Sequence, residues 1–230
     1  MIPAYNEEKR LPATLDRVLA WLDSLKLEFA EVIVVNDGST DGTAALVERY
    51  AKKHPYLRLL NNPGNRGKGY SVRHGMLEAR GEWVLFSDAD LSTPIEDASN
   101  LYAVALGAEA DIAIGSRAVD RSLVSVHQPA MRELSGRFFN LVMRMVTGLP
   151  FRDTQCGFKL YRASAAREVF SRQKLDGFSF DVEALYIALR LGIPAIEVPV
   201  RWANVEGTKV SAFTGLQSFA DLVKIRRHRE

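Results

Sequence analysis

Trp83-Val84-Leu85-Phe86-Ser87-Asp88-Ala89-Asp90 is an apolar run that stops abruptly at two carboxylates one residue apart. Read as a buried strand, it ends at the carboxyl edge of a sheet, where open α/β proteins place their ligands. Side-chain alternation along a strand predicts that Asp88 and Asp90 point the same way. Two carboxylates held together need a counter-charge. A hard divalent cation supplies it economically, because it takes oxygen ligands and leaves its other positions to water and substrate phosphates. Such a pair points to a nucleoside-diphosphate substrate. The competing reading is a loop in which one Asp caps the next helix and the other is solvated, and a lone D-x-D does not separate the two.

Outward from this run, strands at 31–36 and 57–61 alternate with helical patterns at 40–53 and 67–79. That is a βαβ rhythm, which predicts an α/β fold with a mostly parallel sheet and right-handed crossovers. A helix is expected to open at Pro94 with Thr93 as its cap, followed by a strand at 111–115. Beyond Ser116 the polar stretch 117–128 reads as a mobile loop, and 129–147 as a helix. In that helix Met131, Leu134, Phe138, Leu141, Val142 and Met145 recur at helical spacing, and Phe139 and Val146 widen the apolar face. Either it is buried against the sheet, or part of it lies on a membrane surface with Arg132, Arg137 and Arg144 near the headgroups. Strands at 158–161 and 195–202 and helices at 180–191 and 216–227 complete the reading.

The 230 residues, 47% of them hydrophobic, suffice for one substantial core. A net charge of +2 gives no global case for nucleic-acid binding, although Lys224-Ile225-Arg226-Arg227-His228-Arg229 is locally basic. Cys156 is the single cysteine, so neither an intrachain disulfide nor a cysteine-based zinc site is available, and a reducing compartment fits. No apolar run approaches the roughly 18–20 residues that cross a bilayer, and no signal-peptide layout opens the chain. A cytoplasmic location is expected.

Two further stretches carry candidate chemistry. Val32 to Asn36 deliver Asp37-Gly38-Ser39-Thr40-Asp41-Gly42, a strand end, tight turn and helix start that places Asp37 at the same sheet edge. It is either an ordinary turn or a site where a carboxylate accepts from a base N–H. Asn65-Arg66-Gly67-Lys68-Gly69 opens a helix, and a helix N-terminus beside a lysine suits a phosphate. It is not a Walker loop, since the G-x-x-x-x-G-K-[ST] spacing is absent. Cys156 reads as packing, His54, His74, His127 and His228 show no metal-ligand spacing, and Trp202 is expected in the core rather than at the site.

Ile2-Pro3-Ala4-Tyr5-Asn6-Glu7, Val35-Asn36-Asp37-Gly38-Ser39-Thr40-Asp41, Gly67-Lys68-Gly69 and Asp88-Ala89-Asp90 occur in an order that resembles family 2 glycosyltransferases of the GT-A, Rossmann-like fold. Gly115-Ser116-Arg117, Arg132 with Phe139-Asn140, 153–159 (DTQCGFK), Val200-Arg201-Trp202 and Gly207-Thr208-Lys209-Val210 are similar to the polyprenyl-phosphate branch, most of all to the dolichyl-phosphate β-glucosyltransferases. The resemblance implies a single GT-A domain over 1–230, with a nucleotide-sugar half (1–116) and an acceptor half (117–230). It implies nucleoside-binding roles for Pro3, Tyr5, Glu7 and Asp37, and a donor and metal role for Asp88 and Asp90 with Mg²⁺ or Mn²⁺. Lys68 becomes a diphosphate contact. Arg117 and Arg132 would hold the acceptor phosphate, with Arg137 and Lys209 as neighbours, and Asp153 takes the position usually assigned to catalysis, either as a base or as an orienting group.

The implied reaction is inverting transfer of a sugar, glucose from UDP-glucose, to a polyprenyl or dolichyl phosphate by an enzyme peripheral to the cytoplasmic membrane face. Alternatives are mannose from GDP-mannose, or a sugar hydroxyl acceptor in polysaccharide assembly. The implications leave oligomeric state open. A nucleotidyltransferase would need a glycine- and basic-rich triphosphate loop near the N-terminus, and a non-catalytic nucleotide-sugar sensor would have no use for intact metal and arginine positions. Two departures from the family pattern stand out. Only Met1 and Ile2 precede Pro3, where relatives carry a longer apolar first strand, so a misassigned or trimmed start is expected. Ser92 stands where related enzymes can offer a further polar metal contact.

Overall fold

The computed structural model describes residues 1–126, 130–205, 221–222 and 224–226, with backbone alone at 130–135 and 137–139. Strands β1 (Ile2–Ala4), β2 (Val32–Asn36) and β3 (Leu57–Asn61) pair in parallel with β2 in the middle. Helices α1 (Leu11–Leu25), α2 (Thr43–Ala51) and α3 (Lys68–Glu78) connect and follow them. Then come β4 (Trp83–Ser87), α4 (Asp97–Gly107), β5 (Ile112–Ser116), β6 (Val124–Val126) and α5 (Ala130–Thr147). The remainder is β7 (Phe158–Arg162), α6 (Ala163–Phe170), α7 (Phe180–Arg190), β8 (Ala195–Pro199) and β9 (Trp202–Ala203).

A four-stranded sheet runs β4-β7-β5-β8, with β5 and β8 parallel and β7 antiparallel to both of its neighbours. Met1 joins it to the first sheet: its amine donates to the Leu85 carbonyl at 2.6 Å, and Ser87 N–H donates to the Met1 carbonyl at 3.1 Å. The first strand is thus present and central although it is three residues long. Its register, Ile2 opposite Val34 and Ala4 opposite Asn36, supplies the backbone partners that a gap would have removed.

Alternation explains why the strands are apolar on both faces. Ile33 and Val35 join Phe86, Ile112, Ile114 and Tyr161 on one side, against Val72 and Met76 of α3, α6 and α7, with Leu222 and Ile225. Val32 and Val34 join Ala113, Phe158 and Leu160 on the other, against Leu11 and Leu15 of α1 and Leu101 of α4. Each large side chain so enclosed contributes about 2–3 kcal/mol of burial.

Several boundaries differ from the sequence expectation. The helix expected to open at Pro94 starts at Asp97, because 94–96 form a tighter turn in which Asp97 N–H donates to the Pro94 carbonyl. Within the stretch read as a mobile loop, 121–123 form a 3₁₀ turn and β6 pairs with β9. The strand expected over 195–202 breaks after Pro199, where proline removes a donor, and Trp202 begins a separate short strand. Most of the helix expected at 216–227 lies outside the described residues. Among the described residues, no helix is long and apolar enough to cross a membrane.

Candidate active site

The carboxyl ends of β1, β2, β4 and β5 deliver the candidate residues to one edge. The loops after β1 and β2 are laced together: Asn6 N–H donates to Ser39 Oγ at 2.9 Å, Thr40 N–H to Asn6 Oδ1 at 2.8 Å, and Glu7 N–H to Thr43 Oγ1 at 2.9 Å. Asn6 takes a left-handed backbone (φ 51°), which asparagine tolerates better than most residues. Pro3 lies within β1, Tyr5 is exposed, and Glu7 is ion-paired with Arg10 at 3.3 Å.

Asp37 is buried, and its carboxylate accepts from Asn62 Nδ2 (2.8 Å), Arg66 N–H (2.9 Å) and Gly67 N–H (2.9 Å). A carboxylate has about four lone-pair sites, so most of its capacity holds the 65–67 loop rather than facing a base. That loop also departs from the phosphate-cradle reading. The Gly69 and Tyr70 N–H groups at the start of α3 donate to the Asp176 carbonyl at 2.7 and 3.3 Å. The helix N-terminus is therefore filled by protein backbone. Its glycines permit close approach: a Cβ at Gly67 would meet the Asp176 carbonyl, and one at Gly69 the Leu175 carbonyl.

The Asp88–Asp90 pair sits in a turn rather than on the strand, since β4 ends at Ser87. Strand alternation is thus not what aligns the two acids. Their placement is set by that turn, in which Leu91 has φ 46° and Ser92 N–H donates to Asp90 Oδ1 at 3.0 Å. Lys68 Nζ lies 2.7 Å from Asp88 Oδ1. Burial pulls the Lys68 ammonium down, but the fields of Asp88, Asp181 and Asp90 outweigh it and raise the group above its ordinary value. Lys68 thus senses both acids, and Arg10 reaches Asp90 Oδ2 at 3.8 Å. Asp88 and Asp90 offer carboxylate oxygens of the kind a hard cation sharing substrate phosphates takes, with Asp88 Oδ1 engaged by Lys68. Among the described residues no third His, Cys, Asp or Glu joins them to make an all-protein cage.

Asp153 is buried beside Arg117. Arg117 Nε donates to Oδ2 at 2.6 Å, Nη2 to Oδ1 at 2.8 Å, and its backbone N–H to Oδ2 at 3.0 Å. Burial would raise the Asp153 carboxyl, yet the Arg117 guanidinium overrides it and holds the group below the usual carboxylate range. Arg117 is raised in turn: burial opposes its charge, Asp153 more than compensates, and Asp88 adds to the field. Asp153, which grips Arg117, lies four residues before Gly157, whose carbonyl accepts from Asp88 N–H at 3.0 Å, so this pair and Asp88 border one site. Glu197 of β8 fixes the Asp153 loop by accepting from its N–H at 2.8 Å, and Asn140 of α5 donates to the Arg152 carbonyl.

Trp202 departs from the core expectation: it is half-buried, with the Arg117 guanidinium 5.4 Å from its ring centroid. Burial first, and then the field of Asp153, push the Cys156 thiol up to about 12, so it packs rather than reacts. Arg132 and Arg137 belong to α5, but their side chains, like the whole of Lys209, lie outside the described residues.

The sequence reading assigned no role to Lys159, Asp181, Gly157 or Arg10. Lys159 had a visible signal, a lone charge inside the apolar run 158–161. Gly157 had none, because the reason for it lies in Asp88, 69 residues earlier, whose carboxylate a Cβ there would strike.

Two solved structures share this architecture over the whole chain. Glucosyl-3-phosphoglycerate synthase of Mycobacterium tuberculosis, in complex with Mn²⁺, UDP-glucose and phosphoglyceric acid, matches with a TM-score of 0.66 at 18% identity and is itself 79% covered. Mannosyl-3-phosphoglycerate synthase of Rubrobacter xylanophilus matches with a TM-score of 0.72 at 15% identity and is 75% covered. Both matches confirm the GT-A fold. In sequence, the chain is 42% identical to the dolichyl-phosphate β-glucosyltransferase of Drosophila melanogaster over 238 residues, covering 98% of this chain and 73% of that protein. The Homo sapiens enzyme of the same name is 36% identical over 249 residues, with 98% and 74% covered. The family model described as Glycosyl transferase family 2 matches residues 1–170, and the chain belongs to that family.

Proposed function

We propose that the chain transfers glucose from UDP-glucose to a dolichyl or polyprenyl phosphate with inversion at the anomeric carbon. One observation carries this reading: the 153–157 loop grips Arg117 through Asp153 at one end and accepts from Asp88 N–H through Gly157 at the other, while Asp88 pairs with Lys68, so a guanidinium suited to an anionic acceptor and groups suited to a diphosphate donor are tied to one loop. Relatives named for glucosylation of dolichyl phosphate favour that acceptor and sugar, and a fold neighbour crystallised with UDP-glucose favours the donor.

In the reaction, a phosphate oxygen of the acceptor forms the new bond to the anomeric carbon as the bond to the donor diphosphate breaks. A phosphate monoester is largely ionised at neutral pH, so the attacking oxygen needs no strong base. Asp153 is correspondingly an orienting group: its oxygens are occupied by Arg117, whose fork uses Nε and Nη2 and directs Nη1 elsewhere. Arg132, Arg137 and Lys209 are assigned to the same anionic head. Lys68 brings positive charge to where the departing diphosphate gathers negative charge. Asp88 and Asp90 would hold Mg²⁺ or Mn²⁺, which supplies further stabilisation of the leaving group when bound. Pro3, Tyr5, Glu7 and Asp37 border the nucleoside. Residues 1–116 thus contribute most donor contacts and 117–230 the acceptor contacts.

The enzyme is assigned to the cytoplasmic membrane face as a peripheral protein. The last turns of α5 expose Leu141 and Met145 beside exposed Arg144, a pattern suited to an anionic lipid surface. The test is incubation with a panel of nucleotide sugars, either metal and a polyprenyl phosphate. Glycolipid together with free UDP is expected. Nucleoside-diphosphate release that ignores the lipid would point instead to a hydroxyl acceptor.

A further inference from the structure

Beneath the acidic turn lies an ion pair with no place in the reaction above. Lys159, on β7, is 1% exposed, and its Nζ lies 2.5 Å from Asp181 Oδ1 of α7. A buried pair of this kind is weak evidence for stability, because well-packed apolar residues often replace one without loss. What the pair grips is more telling. Lys159 Nζ also donates to the Cys156 carbonyl at 2.6 Å. That carbonyl belongs to the same rigid peptide plane as the Gly157 nitrogen. The Gly157 carbonyl in turn accepts from Asp88 N–H at 3.0 Å, and its Cα packs so tightly on the Asp88 carboxylate that a Cβ would collide with it. On its other side Asp88 meets Lys68, which shares the Phe86 ring with Lys159, their ammonium groups 5.4 and 5.8 Å from its centroid.

We infer that Lys159 and Asp181 are positioning residues that set the orientation of the Asp88 carboxylate through the Cys156–Gly157 peptide. The inference rests on the donor and metal reading of Asp88 and adds the element that holds it. Asp181 also acts on Lys68, the lysine paired with Asp88, through its charge. Burial raises its carboxyl on balance, while Lys159 first and Lys68 second act against that rise, so its charge is felt by the lysine paired with Asp88 as well as by its own partner.

The test is the double variant Lys159→Met/Asp181→Leu, which removes the pair without stranding either charge. Circular dichroism and thermal unfolding establish that it folds, and Mn²⁺ is then titrated in the presence of UDP, with glucose-transfer kinetics measured in parallel. A folded double variant is expected to lose about tenfold or more in Mn²⁺ affinity and to raise the donor KM similarly, with the acceptor KM moved less than threefold. If the double variant does not fold, Asp181→Asn carries the test: its amide oxygen still accepts from Lys159, which favours folding, but the charge that fixes the ammonium on the Cys156 carbonyl is gone, and a three- to fivefold loss of Mn²⁺ affinity is expected. Wild-type affinity in a folded variant overturns the inference alone. Wild-type protein that holds no Mn²⁺ with UDP present overturns the metal reading of Asp88 and the inference with it.

Discussion

Arg117 and Asp153 form a two-pronged fork, Nε to Oδ2 at 2.6 Å and Nη2 to Oδ1 at 2.8 Å, with the arginine half-exposed and the carboxylate buried. The geometry makes the carboxylate a support for the guanidinium. Asp153→Asn keeps the shape but loses the charge-assisted bonds, worth about 1.5–3 kcal/mol. The expected result is an acceptor KM raised roughly 10- to 100-fold with turnover at saturating acceptor reduced less than tenfold. A turnover loss of a thousandfold or more with unchanged acceptor KM would restore the base role.

The pH profile offers an independent check on the same pair. The Asp153 carboxyl is held below its ordinary value by Arg117, against the pull of burial. A depressed carboxyl contributes its stabilisation above the unfolded value, about 3.9, and loses it only as pH falls through the lower folded value. Acceptor-saturated turnover is therefore expected to show no limb assignable to Asp153 between pH 5 and 8. A limb in that window that disappears in Asp153→Asn would contradict this.

Gly69 of α3 packs against backbone, and the Leu175 carbonyl is the atom a methyl group would meet first. Backbone yields less than a side-chain tip. Gly69→Ala is expected to destabilise the protein by about 1–3 kcal/mol, read as a lower urea midpoint at unchanged slope.

Cys156 is buried, with a thiol pushed up to about 12. At pH 8 it is neutral and shielded, so a thiol reagent such as Ellman's is expected to leave the native protein untouched and to modify one thiol after unfolding. Rapid labelling of native protein would show that the 153–157 loop opens.

Met145 on α5 is exposed beside Arg144. Met145→Asp places a negative charge on the face assigned to lipid, and co-sedimentation with vesicles containing anionic phospholipid is expected to fall severalfold while activity on a short-chain soluble acceptor phosphate is kept. Equal co-sedimentation of the variant would remove α5 from the membrane assignment.

The sheet was legible in the sequence because its signals are local. The run 83–87 and the β-branched segment 32–36 are strands on both sides of any tertiary context, and the acids that follow them fall at the sheet edge as their position predicts. Helices α1 and α6 went unread, the first because its apolar spacing follows a charged entry with no capping side chain, the second because it is only eight residues long. The glycines at 67 and 69 do mark a close backbone approach, but what they approach could not be read from sequence. A Gly-rich helix start carries the same letters whether it cradles an anion or lets two backbones touch, and only the presence of the 175–176 carbonyls decides. Lys159 and Asp181 are 22 positions apart, and their meeting is a product of β7 and α7 packing that no local pattern encodes.

The placement of β7 imposes an order on biosynthesis. It is the antiparallel strand wedged between β4 and β5, yet it is made long after both, and its leading residues complete the wall behind Asp88. In chain order β1 to β3 can pair before β7 exists, whereas β4 and β5 are joined only through it. The backbone support behind Asp88 is accordingly complete only once that insertion has occurred.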